Sequence, residues 1–147
     1  MTTIADIEDV WDDNIWNDES ILAIQPEIKV YRYLLGDDGE PDNAVEFVVR
    51  RAEKAPQVCQ GTSSTSVFEI EIRYTRECDD EDEADSIAIR DFFDNLMPLV
   101  RTKLGKTWSD TVDLWNFQKE PVRVSPIIIN QEDFLQGRLI LTAEKTV

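Results

Sequence analysis

The chain contains no histidine. That removes Ser-His-Asp and Cys-His catalysis, His-ligated zinc, and the commonest general base near neutral pH. Its two cysteines, Cys59 and Cys78, lack Cys-x-x-Cys spacing and cannot build a structural zinc site by themselves. Reduced thiols in a reducing cytoplasm are the expectation. Basic residues are also scarce, 15 Lys and Arg against 31 Asp and Glu, a net charge of -16. Such a surface repels phosphate backbones and anionic lipid, so tight binding to nucleic acid or to a membrane surface is not expected. The N-terminal stretch pairs no basic start with a long apolar segment, so neither a signal peptide nor a membrane span is expected. Any enzyme reading must run on carboxylates, lysine or a bound metal.

What is present is a globular composition, 41% hydrophobic and 31% charged with four Trp, in 147 residues. That is the size of one domain, 1–147, with room for one continuous core. Residues Thr3–Trp16 place Ile4, Ile7, Trp11 and Ile15 at spacings of 3, 4 and 4, one stripe of an amphipathic helix that Thr2 or Thr3 can cap. The stretch "NDESILAIQP" reads as a short turn of helix ending before Pro26. "EIKVYRYLL" then alternates as a strand, with Ile28, Val30 and Arg32 on one face. "GDDGEPDN" joins it to "AVEFVVRRAEK", which predicts a hairpin. "APQVCQGTSSTS", residues 55–66, is small, polar and broken by Pro and Gly, the pattern of a long mobile loop.

Residues 68–86, "FEIEIRYTRECDDEDEADS", open as a strand in which Phe68, Ile70, Ile72 and Tyr74 alternate with polar residues. From Asp85 the period changes, and Ile89, Phe93, Leu96 and Val100 fall at helical spacing. Pro98 is expected to kink or restart this long helix, and Gly105 to close it. "TVDLWNFQKE", "VRVSPIIIN" and "GRLILTAEKT" follow as strands, the middle one marked by Pro121 and Pro126 as an edge or a bend. The fold class is α+β: a single predominantly antiparallel sheet with an N-terminal helix and one long helix packed on it.

Three candidate sites need weighing. The acidic block Asp79, Asp80, Glu81, Asp82 to Asp85 fails as a calcium loop in either register. Counting from Asp80, the fifth, sixth and twelfth positions are Ala84, Asp85 and Asp91; from Asp79, the sixth and twelfth are Ala84 and Arg90. Acids at a helix start stabilise its positive end by about 0.3–1 kcal/mol each, which explains the block as a helix entrance. Gly105-Lys106-Thr107 resembles the end of a phosphate loop, but Val100 stands where the leading Gly belongs, and a helix precedes it. The basic residues Arg50, Arg51 and Lys54 cluster at one strand end, with Arg73 and Arg76 as cross-sheet neighbours. Pairing with Glu69 and Glu71 is one reading. The other is a subunit contact in which this basic edge meets the acidic block of a neighbouring copy, with Val122 and Val124 on the Pro-broken strand as a second contact. The four Trp are read as core, any exposed one being a natural interface anchor.

The layout of "TIADIEDVW", of "FEIEIRYTRE" running into "SIAIRDFFDNLMPLV", and of "FLQGRLILTAE" resembles the tail terminator (tail completion) family of long-tailed bacteriophages. The resemblance implies a non-enzymatic, cofactor-free virion subunit assembled in the host cytoplasm. It would form a ring, hexameric in that family, at the head-tail junction. Its partners would be other copies of itself, the tail tube protein and the head completion or connector protein, with DNA passing through the lumen without tight binding. The competing readings are an acidic monomeric binding module, a DNA-mimic inhibitor, and a carboxylate- or metal-dependent enzyme. Chelation separates the last from the rest: with neither calcium register complete, EDTA is expected to leave the melting temperature unchanged in a thermal scan.

Overall fold

The computed structural model describes residues 2–19, 21, 29–32, 42–51, 65–78, 82–107, 114–117, 122–129 and 131–146. Helix α1 (Ile4–Trp11) is capped by Thr3. The Thr3 hydroxyl accepts from the Asp6 N–H at 3.2 Å and the Asp6 carboxylate accepts from the Thr3 N–H at 2.8 Å. These reciprocal bonds satisfy donors the helix leaves open and hold the Asp6 carboxyl below the ordinary carboxylate range. The expected single helix through Trp16 is instead α1 followed by a π-helical turn, Asp12–Trp16. Trp11 and Trp16 both pack on Phe47, with ring centroids 5.0 and 5.4 Å away. In an unbroken α-helix residues five apart point roughly 140° away from each other, so the wider turn brings the second indole round to the core.

The sheet is built from β1 (Lys29–Tyr31), β2 (Ala44–Arg51), β3 (Thr65–Glu77), β4 (Leu114–Phe117), β5 (Arg123–Ile129) and β6 (Glu132–Thr146). Its order is β1-β2-β3-β6, with β4 and β5 sharing the far side of β6. Among the described residues all pairings are antiparallel except β1 with β2, which run parallel in the register Lys29↔Ala44 to Tyr31↔Glu46. The sheet is therefore mixed, and the predicted hairpin is corrected. Parallel neighbours need a crossover, and the Gly- and Asp-rich stretch marks a break without fixing the direction in which the chain returns. Of the predicted short turn before Pro26, residues 17–19 and 21 are described, with the Ile21 N–H donating to the Asp18 carbonyl at 3.1 Å, and the rest lies outside the described residues. The predicted loop at 55–66 is corrected at its end, where Thr65 and Ser66 already belong to β3 because they pair with β6; residues 55–64 lie outside the described residues.

Strand β3 pairs with β6 over its whole length, from Thr65↔Thr146 to Glu77↔Phe134. The period of two sends Phe68, Ile70, Ile72 and Tyr74 to one face, beside Phe47 and Val49 of β2 and Leu139 and Leu141 of β6. Helix α2 (Asp82–Thr107) covers that face with Ile89, Phe92, Phe93, Leu96, Val100 and Leu104, and one apolar cluster joins them to Ile7, Trp11 and Ile15 of the N-terminal segment. The helix starts three residues before the change of period and ends two residues past Gly105. It runs through Pro98 without a second start. Pro98 and Asp94 are both exposed, so water can serve the Asp94 carbonyl that the proline leaves without a donor. Strand β5 is an edge, as Pro126 implies: among the described residues it pairs with β6 alone. No described helix is long and apolar enough to cross a membrane.

The helix meets the sheet most closely at Gly137 of β6. A Cβ placed there would fall 2.7 Å from Cε2 of Phe93, and nearer still to Cγ2 of Ile89. Both neighbours are buried and have little room to retreat. Gly137→Ala is expected to destabilise the fold by about 1–3 kcal/mol, and Gly137→Val by more, read as a lowered urea midpoint.

Candidate functional site

The sheet face opposite the main apolar cluster carries a network of ion pairs. Strand alternation places Glu46 and Arg50 of β2, Glu69, Glu71 and Arg73 of β3, and Arg138 of β6 on it. The register makes Arg50 face Glu69, Glu46 face Arg73, and Arg73 face Arg138. At the centre Glu71 is 0% exposed. Its carboxylate meets Nη2 of Arg50 at 3.0 Å, Nη2 of Arg73 at 3.1 Å, and Nη2 of Arg138. Arg50 also reaches Glu69 at 3.2 Å. The directly opposed Arg73 and Arg138 would repel each other, and the shared carboxylate between them is what makes the pair tolerable.

Burial pushes the Glu71 carboxyl up, but the hydrogen bonds and charges of Arg73, Arg50 and Arg138 outweigh it and hold the group below the usual carboxylate range. Glu71 is thus ionised at neutral pH, with its oxygens taken by guanidinium groups. That arrangement ties three strands together. It does not supply a proton-transfer group, because a general acid or base must have a pKa near the working pH and reach its substrate.

A second cluster joins the end of β3 to the start of α2. The Tyr74 hydroxyl donates to Oδ1 of Asn43 and accepts from Nη1 of Arg76 at 3.3 Å. Arg76 Nε in turn donates to Oδ1 of Asp85 at 3.0 Å. Burial raises the Tyr74 phenol above its usual range, and its ring stacks on Phe92 at 4.6 Å. Part of the acidic helix entrance is therefore neutralised within the chain.

Of the basic residues expected to form one edge patch, Arg50 and Arg51 separate. Arg50 and Arg51 are adjacent in a strand and point to opposite faces: Arg50 joins Glu69 and Glu71, while the Arg51 guanidinium lies 5.1 Å from the centre of the Phe68 ring. Arg50 is accordingly engaged in the cross-strand pairing that the sequence suggested. Val122 and Val124 are half-buried against the core at the start of β5. Asp82 is the first residue of α2. Lys54, Asp79, Asp80, Glu81, Cys59 and Trp108 lie outside the described residues. Among the described residues no His, Cys, Asp and Glu group is placed to hold a metal ion. Missing from the sequence reading were Arg138 and the convergence on Glu71. The signal was the charged alternation Glu69, Glu71, Arg73 opposite an apolar face, but Arg138 becomes a partner only through the β3–β6 register.

Glu71→Gln is expected to destabilise the protein by about 3 kcal/mol at pH 7, because it leaves the arginines without their shared counter-charge. Since the folded pKa lies below the unfolded one, the ionised group stabilises above the unfolded pKa, and this contribution disappears as pH falls through the folded value. The gap between the two proteins should therefore narrow from pH 7 towards pH 3 in denaturant titrations.

Neither a protein-family model nor a curated protein matches this sequence, so the functional reading rests on the residues and geometry above.

Proposed function

We propose that this chain is a structural virion subunit of the tail terminator type, which self-associates into a ring at the end of a phage tail tube and performs no catalysis. The observation that carries the reading is the continuity of β3, α2 and β6. With α1 they are the segments on which the resemblance rests, and they form one unit: β3 feeds α2 across a short acidic stretch and pairs end to end with β6. The ionic groups on the sheet face support a structural role, since Glu71 and its arginines are engaged with one another. The net charge of -16 suits a subunit past which DNA must slide without sticking, and it also sets the behaviour of free copies, which repel one another. Tube protein and a head connector would be the partners at the two ends of the ring.

The same acidity favours one competing reading, an acidic monomeric binding module. The two differ in their response to salt. Repulsion between like-charged subunits is screened within about 10 Å at 0.1 M, so added salt is expected to raise the mean mass seen by light scattering. Tube protein should raise it further, and negative-stain images should show rings with a central hole. A species that stays monomeric in all these conditions and ignores tube ends would establish the binding module instead.

A further inference from the structure

Strand β5 pairs with β6 alone among the described residues, and its backbone directions follow from the hairpin the two strands make. Ile129 and Glu132 face each other across a two-residue connection, with Gln131 in the left-handed region at φ 66°. In such hairpins the flanking residues exchange both backbone hydrogen bonds, and the direction of the N–H and C=O groups alternates along the strand. Ile129, Ile127, Ser125 and Arg123 therefore turn their backbone groups to β6, and Val124, Pro126 and Ile128 turn theirs outward. Pro126 fits this alternation, because it has no N–H to give and faces Leu135 without interrupting the ladder.

The outward edge thus offers donors at Val124 and Ile128, about 13 Å apart, and none between them. Ser125, Pro126 and Ile128 are exposed, Ile128 at 76%. No charged side chain occurs from Val124 to Ile129, in a chain that is 31% charged. Edge strands are ordinarily protected by charge, by proline or by cover, and charge is missing here.

We propose that Pro126 is the guard of this edge, keeping two copies of the chain from pairing strand to strand through β5. The edge is otherwise self-complementary. An antiparallel two-fold centred on residue 126 would set Val124 opposite Ile128 of a second copy. The exposed isoleucine would then be covered by an apolar side chain on the same face, with backbone bonds at both ends. At the centre the two prolines would meet. Each lacks the donor the other's carbonyl needs, and each ring carbon occupies the space where that carbonyl must approach. Any neighbour that covers β5 in an assembly must then do so through side chains and not by extending the sheet. The inference holds for a ring or a monomer, because it concerns the change relative to the unsubstituted protein.

The test compares Pro126→Val and Pro126→Thr with the unsubstituted chain by sedimentation velocity over a concentration series at elevated salt. Infrared spectroscopy would detect intermolecular β-structure. Both variants should acquire a concentration-dependent species of about twice the starting mass. Adding Ile128→Lys to either should restore the starting mass. Threonine separates backbone pairing from the stickiness of an added apolar side chain, and it serves alone if the valine variant fails to fold. Folded variants with the mass of the unsubstituted chain at every concentration would overturn the proposal. So would an association that appears with valine only, or one that Ile128→Lys does not reverse.

Discussion

A carboxylate taken out of water costs several kcal/mol unless cations meet it with good geometry, and Glu71 sits at the centre of this sheet with no solvent exposure. The guanidinium groups that meet it come from three strands, so β2 and β6 must lie on β3 in the one register that brings Arg50, Arg73 and Arg138 together. The same register aligns Phe47 and Leu139 with Ile72 on the other face. A slip of one residue would put Glu71 into the apolar core and turn Ile70 and Ile72 out of it. Both faces of β3 therefore enforce a single alignment. The seating of α2 follows from it, because Gly137 lies under Ile89 and Phe93 only in that alignment.

Which parts of this were legible in the sequence depends on how local the cause is. The Thr3 cap, the stripe Ile7, Trp11 and Ile15, the alternation of β3 and the buried face of α2 are set by neighbours within a few residues, and all are present as expected. The π-helical turn was not legible, since Phe47 imposes it from a distant strand. The parallel β1–β2 pair was hidden for a similar reason: turn residues announce that a strand ends, not where the chain returns. Arg50 and Arg51 show the same limit at a site. Their proximity in sequence suggested one basic patch, whereas strand geometry sends one to Glu71 and the other to Phe68. Pairings such as Arg138 with Glu71, 67 positions apart by subtraction of their numbers, depend on register and cannot be read from either segment alone.

Charge and shape act against each other in this molecule. The sheet face, the start of α2 and the N-terminal segment consume basic groups internally, through Glu71, through Arg76 with Asp85, and through Arg32 with Glu8 and Asp12. With only 15 basic residues to begin with, the surplus acids remain to repel other copies. Long-range repulsion of that kind opposes encounter in every orientation but does not choose among contacts once two copies meet. The choice must come from short-range features.

Strand β5 is where such a feature can be named. An uncharged edge ending in three isoleucines is a template for another strand, and diffuse repulsion weakens as salt rises. A missing donor does not weaken with salt. Pro126 therefore protects the edge in the very conditions that allow copies to approach, and an orderly assembly needs that separation. Contacts that close the proposed ring would have to form when repulsion is screened, while strand-to-strand pairing of two copies through β5 stays blocked. Proline meets both requirements at once because its effect is steric and local and does not depend on ionic strength.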